Sequence, residues 1–414
     1  MKVAIIAKAL AFLLVIIPTS QFAYASDDDR DSARLLYTVL NSAENNSVAG
    51  FRINEGGTLE ELPGSPYPTN GSGLGRVIVN FNGLVKSEDG RFLFALNISS
   101  NTIAAFRVRR NGSLSHVPGS PFETGGQFPL SIALTDDILY VGHFLSRDYR
   151  GFNINKRGQL SPIPEGVATF EATGSLPLAI GFNPDGDTLV AARTSLDLVT
   201  FGRNAIDTFT LDEDTGLLTE APGSPFVTTV ADNNSMPIGF GFSPTDENQL
   251  FVSNSVDLNQ NIATISTYLL GENGQLAEIP DGIANAGGQA AACWVDFTSD
   301  GRNLYSSNTN SDTITHFKVN TAGNLEIVEV VQIPSGGVVG DGEPLDIIVT
   351  ADDEYTYVVN GLTAGLVAYD VGDDGRLALL DQNQPLLLPE GSFPFGLVII
   401  GEEENDDDDK EDRN

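Results

Sequence analysis

Two side chains at matching places in the chain have the chemistry of a catalytic pair. His143 ends the run Leu139-Tyr-Val-Gly-His143, and Arg193 ends a similar apolar run in the following repeat. An imidazole can take a proton from water and a guanidinium can hold the negative charge that then develops, so the two offer a general base and an anion clamp. As residues at loop starts they read more simply as two solvent-exposed side chains. Asp296 and Asp346 are the next candidates. Both sit in short apolar runs, beside Trp294 and Leu345. A carboxylate there either faces a narrow channel, where it can activate water or hold a ligand with Trp294, or accepts a structural hydrogen bond. Asn41, Asn97, Asn254, Asn308 and Asn360 end runs equivalent to those of His143 and Arg193. An Asn at such a place closes a turn through its own side chain or presents an amide to a ligand. Cys293, the one cysteine, lies in an apolar run beside Trp294 and reads as a small buried hydrophobe.

The elements that must position these groups are marked by a short pattern that occurs seven times: an aromatic residue, a few polar residues, then Gly-x-Leu. The pairs are Phe51 and Gly57, Phe106 and Gly112, Phe152 and Gly158, Phe209 and Gly216, Tyr268 and Gly274, Phe317 and Gly323, Tyr369 and Gly375. Six of the seven have a spacing of 6 and the fourth a spacing of 7, while successive glycines lie 46 to 58 residues apart. Before each Gly runs an alternating segment such as Ile103-Ala-Ala-Phe106-Arg-Val108, whose period of two puts Ile, Phe and Val on one face of a strand. The Gly then supplies the positive φ of a tight hairpin.

Each repeat holds four strand-like runs. The first follows Pro or its equivalent, as in Pro129-Leu-Ser-Ile-Ala-Leu134 and Pro344-Leu-Asp-Ile-Ile-Val349, and turns such as Asn183-Pro-Asp-Gly186 close it. Four short antiparallel strands per unit of this size predict an all-β, seven-bladed β-propeller. The first repeat opens at its second strand, Leu36 to Asn41, and Phe393 to Ile400 is a first strand without a blade. Pairing the two closes the ring and removes its exposed edges.

The short turns join strands one to two and three to four, on one face of the disc. The other face collects the two-to-three loops and the blade crossings, which are elaborated in Arg193 to Asn204 and Ser255 to Asn261, and the functional site is expected there.

Residues 1–25 read as a secretory signal: Lys2, an apolar stretch from Ala9 to Ile17, and Ala23-Tyr24-Ala25 as the cleavage pattern. An acidic segment, 26–34, precedes the propeller at 35–401, and an acidic tail with nine acids and two bases follows at 402–414. Removing Lys2 and Lys8 leaves 20 basic against 56 acidic residues, a formal charge of −36. That charge excludes nucleic acid, which needs Lys and Arg to replace its counterions. The tails read as solvated ends with, at most, a loosely bound divalent cation; no other cofactor or metal site is expected. No further apolar run is long enough for a membrane helix.

The Pro-Asp-Gly turns, the Leu-Tyr-Val-like second strands, Ile-x-x-Phe-x-Val, Gly-x-Leu and Pro-Gly-Ser-Pro-Phe together resemble the lactonase family of seven-bladed propellers, similar to 6-phosphogluconolactonases and carboxymuconate cyclases. The likeness covers about residues 35 to 400. It implies opening or closure of a sugar lactone in a channel with acid-base side chains. Where that family commonly carries His after the Pro of an innermost strand, this chain has Leu130, Leu178, Ile238, Leu345 and Phe395, and none of its three histidines, His116, His143 and His316, matches. The expectation is an exported monomer, secreted or periplasmic, that binds, or binds and hydrolyses, a sugar-acid lactone or carbohydrate at the loop-rich face. Arg193 would then steady the oxyanion, with His143 or Asp296 activating water. The alternative is a non-catalytic propeller holding a protein or glycan.

Overall fold

At all seven repeat glycines the backbone takes a positive φ, from 70° at Gly216 to 81° at Gly375, in the region where only a residue without Cβ is unstrained. Six of the turns close with a hydrogen bond from the Gly N–H to the carbonyl three residues back, as in Gly112 to Arg109 at 2.8 Å. The fourth closes on the residue four back, Gly216 to Asp212 at 2.7 Å, which accounts for its extra residue in the sequence spacing. The aromatic residue of each repeat is buried in every blade.

In a computed structural model, which describes residues 33–77, 82–169, 175–195, 204–227, 236–255, 263–334, 342–380 and 385–401, the strands form seven antiparallel sheets. Blade three is representative: Pro129–Thr135, Ile138–His143, Asp148–Ile154 and Leu160–Thr169, from the axis outward. The first blade is composite. Leu35–Val39 pairs on one side with Ser47–Ile53 and on the other with Phe395–Ile400, with Leu36 opposite Ile399 and Tyr37 opposite Val398. The chain's last strand therefore completes its first sheet, as the orphan strand at each end implied.

The blades are tied to one another by bonds that the repeat pattern does not announce. The Tyr37 hydroxyl of blade one donates to the Gly112 carbonyl of blade two at 2.6 Å, and Tyr140 to Gly216, Tyr305 to Gly375 and Tyr357 to Gly57 repeat the contact around the ring. Each of these four hairpin glycines thus turns its own blade and anchors the preceding one. Pro-Gly-Ser-Pro has a comparable second role: Ser65, Ser120 and Ser224 accept backbone N–H groups of the third strand where the fourth strand has ended. Blades three, five, six and seven lack the motif, and in three, five and six the fourth strands run on, Leu160–Thr169, Leu276–Asn285 and Leu325–Gln332.

The signal segment, residues 26–32, the tail 402–414 and most of the two elaborated loops, 196–203 and 256–262, lie outside the described residues. Among those described, no helix is long and apolar enough to cross a membrane.

Candidate functional site

The end of the second strand, where His143, Arg193 and the Asn series stand, is defined by the alternation of the strand. Asn97 accepts hydrogen bonds from Asn46 (3.0 Å) and Thr69 (2.6 Å), both in blade one, so this position faces the preceding blade. Tyr149, cross-strand from Gly142, sends its hydroxyl forward to Asp207 Oδ2 of blade four at 3.4 Å. His143 and its cross-strand partner Asp148 therefore face the opposite way, toward blade two, and a Cβ on Gly126 in the crossing from that blade would collide with the His143 ring.

The pairing expected of His143 and Arg193 does not form: the sheet of blade three lies between them. Nor is either exposed at a loop start, since both are buried at 2 % exposure or less. Each has instead a local acid that sequence reasoning missed. His143 Nδ1 lies 2.9 Å from Asp148 Oδ1, and Arg150 donates to Asp148 Oδ2 from Nε and Nη2 at 3.0 and 2.8 Å. Burial works against the Asp148 carboxylate, but the bonds from His143 and Arg150 outweigh it and hold its pKa below the ordinary value. Arg193 Nη2 lies 3.1 Å from Asp207 Oδ1. Here burial wins over the attraction of Arg193, and the Asp207 pKa is raised to about 6. The clue to both was available: Asp148 and Asp207 lie near the starts of third strands, across the hairpin from a base.

The two channel carboxylates are also engaged. Asp296 Oδ2 accepts the Val349 N–H at 2.7 Å, and Asp346 Oδ2 accepts the Leu397 N–H at 2.7 Å while Oδ1 accepts Ile347 N–H. Each ties its innermost strand to that of the next blade, and the Ser131 hydroxyl does the same with Ile180. Trp294 covers Gly239 of blade five, where any Cβ would strike the indole. The Asn amides are likewise internal. Asn41 bonds Leu74 and Arg76, Asn254 bonds Ser266, Asn308 bonds Thr313 and Thr315, and Asn360 bonds the Pro334 carbonyl, all five side chains being fully buried.

At the level where histidines were absent from the sequence, the innermost strands described carry buried hydrocarbon. Leu130, Leu178, Ile238, Cys293, Leu345 and Phe395, from six blades, are at most 4 % exposed and belong to one contiguous apolar cluster. Cys293 is part of this plug, its thiol pKa pushed up to about 12 by burial, which is the behaviour of a packing residue. The remaining histidines are structural too. His316 Nε2 is 2.9 Å from Asn303 Oδ1, and burial lowers its pKa to about 4; His116 Nε2 lies 2.9 Å from the Pro68 carbonyl. Among the described residues there is no group of three or more His, Cys, Asp or Glu that could hold a metal ion.

A family model described as a lactonase, seven-bladed β-propeller, matches residues 32–173 and 179–390. No curated protein matches the chain by sequence. Among solved structures, a candidate 6-phosphogluconolactonase from Bacteroides uniformis is 21% identical with a TM-score of 0.69, over 89% of this chain and 100% of that one. The periplasmic gluconolactonase of Pseudomonas aeruginosa is 18% identical with a TM-score of 0.66, over 88% and 99%. At such identities the likeness is one of fold.

Proposed function

This chain belongs to the lactonase family of seven-bladed β-propellers, and from that premise we propose that it is an exported monomer that binds a small sugar-acid lactone or related carbohydrate on its loop-rich rim. The observation that carries the reading is the hydrocarbon plug. With six buried apolar side chains from six innermost strands in one cluster, a polar ligand among them would lose its hydration without gaining hydrogen bonds, at a cost of roughly several kcal/mol. The rim offers apolar surface beside backbone polar groups. Leu145 and Leu362 of two-to-three loops, and Val227 and Leu387 of crossings, are among the most exposed large hydrophobics described. The solved structures named above, described as a candidate 6-phosphogluconolactonase and a periplasmic gluconolactonase, support a sugar-acid lactone as the ligand class.

Ring opening is a second reading, favoured by the raised pKa of Asp207 beside Arg193. Were substrate to reach this buried pair, Asp207 would take a proton as water adds to the lactone carbonyl, and Arg193 would hold the oxyanion. The acyl–oxygen bond then breaks and the ring oxygen receives the proton, giving the hydroxy acid. His143, on the far side of blade three, takes no part.

Calorimetric titration with a panel of aldonolactones, aldonic acids and neutral oligosaccharides, run beside pH-stat measurement of acid release, tests both readings. Saturable heat that is lost in a Leu145→Glu, Leu362→Glu double variant of unchanged melting temperature supports rim binding. Acid release that disappears in Arg193→Lys adds catalysis. Heat from no member of the panel removes the proposal and leaves a propeller that holds a protein or larger glycan.

A further inference from the structure

On the tight-turn face, opposite the rim, lies a depression of about 730 Å³ at the junction of blades one and two. Lys86, Arg91, Arg107, Arg109 and Arg110 line it, against only Glu88 and Asp89, in a chain whose acids outnumber its bases 56 to 22. A concentration of cations on so acidic a protein costs self-repulsion unless an anion faces it. Asp89 is bonded to Arg91, while the Arg91 and Arg107 guanidinium groups share the Phe92 ring at 5.6 and 5.4 Å. Arg107 and Arg109 are exposed and have no carboxylate partner among the described residues.

Both ends of the propeller emerge at this spot. Ala33 and Gly401 line the depression, and they touch, since a Cβ on Gly401 would collide with the Ala33 carbonyl. The next residue after Gly401 is Glu402, the first of nine acids in thirteen residues. We propose that segment 402–414 docks on this basic depression of its own chain. The tether needs no length to reach it, because the depression starts where the segment starts; thirteen residues extended would span roughly 45 Å. An attached ligand also has an effective concentration of about millimolar order, so weak charge pairs suffice to keep it bound. The bound segment screens the cation patch and sits across the seam where Phe395–Ile400 closes the ring on Leu35–Val39.

The test uses a fluorescent peptide of residues 402–414, titrated against the full chain and against a chain ending at Gly401. The truncated protein is expected to bind it about tenfold more tightly than the full chain, whose own segment competes. Binding is expected to fall about tenfold between about 50 and about 500 mM NaCl, as screened charge pairs must. It should vanish in an Arg107→Glu, Arg109→Glu variant of the truncated protein with unchanged circular dichroism and melting temperature. No binding to the truncated protein at low salt, equal binding to both chains, or indifference to the charge reversal overturns the proposal. Sedimentation separates the own-chain arrangement from exchange between copies: a monomeric full chain supports it, and dimers that dissolve on truncation overturn it.

Discussion

Asp207 and His316 carry the buried charge questions of this fold, and they have opposite consequences for stability. The Asp207 pKa is raised by burial to about 6, so the fold holds a proton that the unfolded chain releases at lower pH. Its contribution therefore falls as pH rises through the window from about 4 to 6, by about 3 kcal/mol for a shift of this size. Asp207→Asn should flatten that slope in denaturant titrations at pH 4, 5, 6 and 7, and an unchanged slope contradicts the burial account. His316 runs the other way. Its lowered pKa of about 4 means the unfolded chain takes the proton first, so stability is lost as pH falls from about 6.5 toward 4, again by about 3 kcal/mol. His316→Gln should remove this loss. The sequence displayed both bases and acids but not their pairing, because whether a strand residue faces the blade before or after it is decided by a strand's facing, which residue type does not encode. His143 and Arg193 looked like neighbours for that reason, and the sheet of blade three parts them.

The recurring hairpin was the most legible element, since Gly-x-Leu with an aromatic residue six positions earlier specifies a turn and a buried strand in any context. What the pattern concealed is that the same glycine is a docking point between blades. Gly323 has φ 80°, and an added Cβ would lie 2.9 Å from Ile279 Cδ1 and 3.0 Å from Thr267 Cγ2, while its carbonyl accepts the Thr267 hydroxyl at 2.9 Å. Gly323→Ala is expected to cost about 1–2 kcal/mol from backbone strain and crowding together. Tyr140→Phe tests the anchor alone, because it removes only the hydroxyl that donates to Gly216. A loss of about 1 kcal/mol by chemical denaturation is expected, as for a buried hydrogen bond whose acceptor is left unpaired. No loss would show that packing, and not the bond, joins these blades.

For the whole molecule, ring closure and the filled axis act together. Deleting residues 393–414 exposes Leu35–Val39 as a bare edge and takes Phe395 out of the plug. The expected outcome is aggregation in size-exclusion chromatography and loss of a single cooperative transition, since an open apolar edge recruits other chains. The circular plan was readable from the unmatched strand at each end. The plug was readable only in outline, as a row of missing histidines, because the sequence does not say that Leu130, Leu178, Ile238, Cys293, Leu345 and Phe395 meet. In the function proposed above, that meeting is the reason for placing the ligand at the rim and not on the axis. The most direct measurement is a crystal structure of the chain with the tightest-binding lactone or acid of the panel. Density for the ligand among the two-to-three loops and crossings, with the six axial side chains still packed, is the result expected here. Density inside the channel, with those side chains displaced, would contradict it.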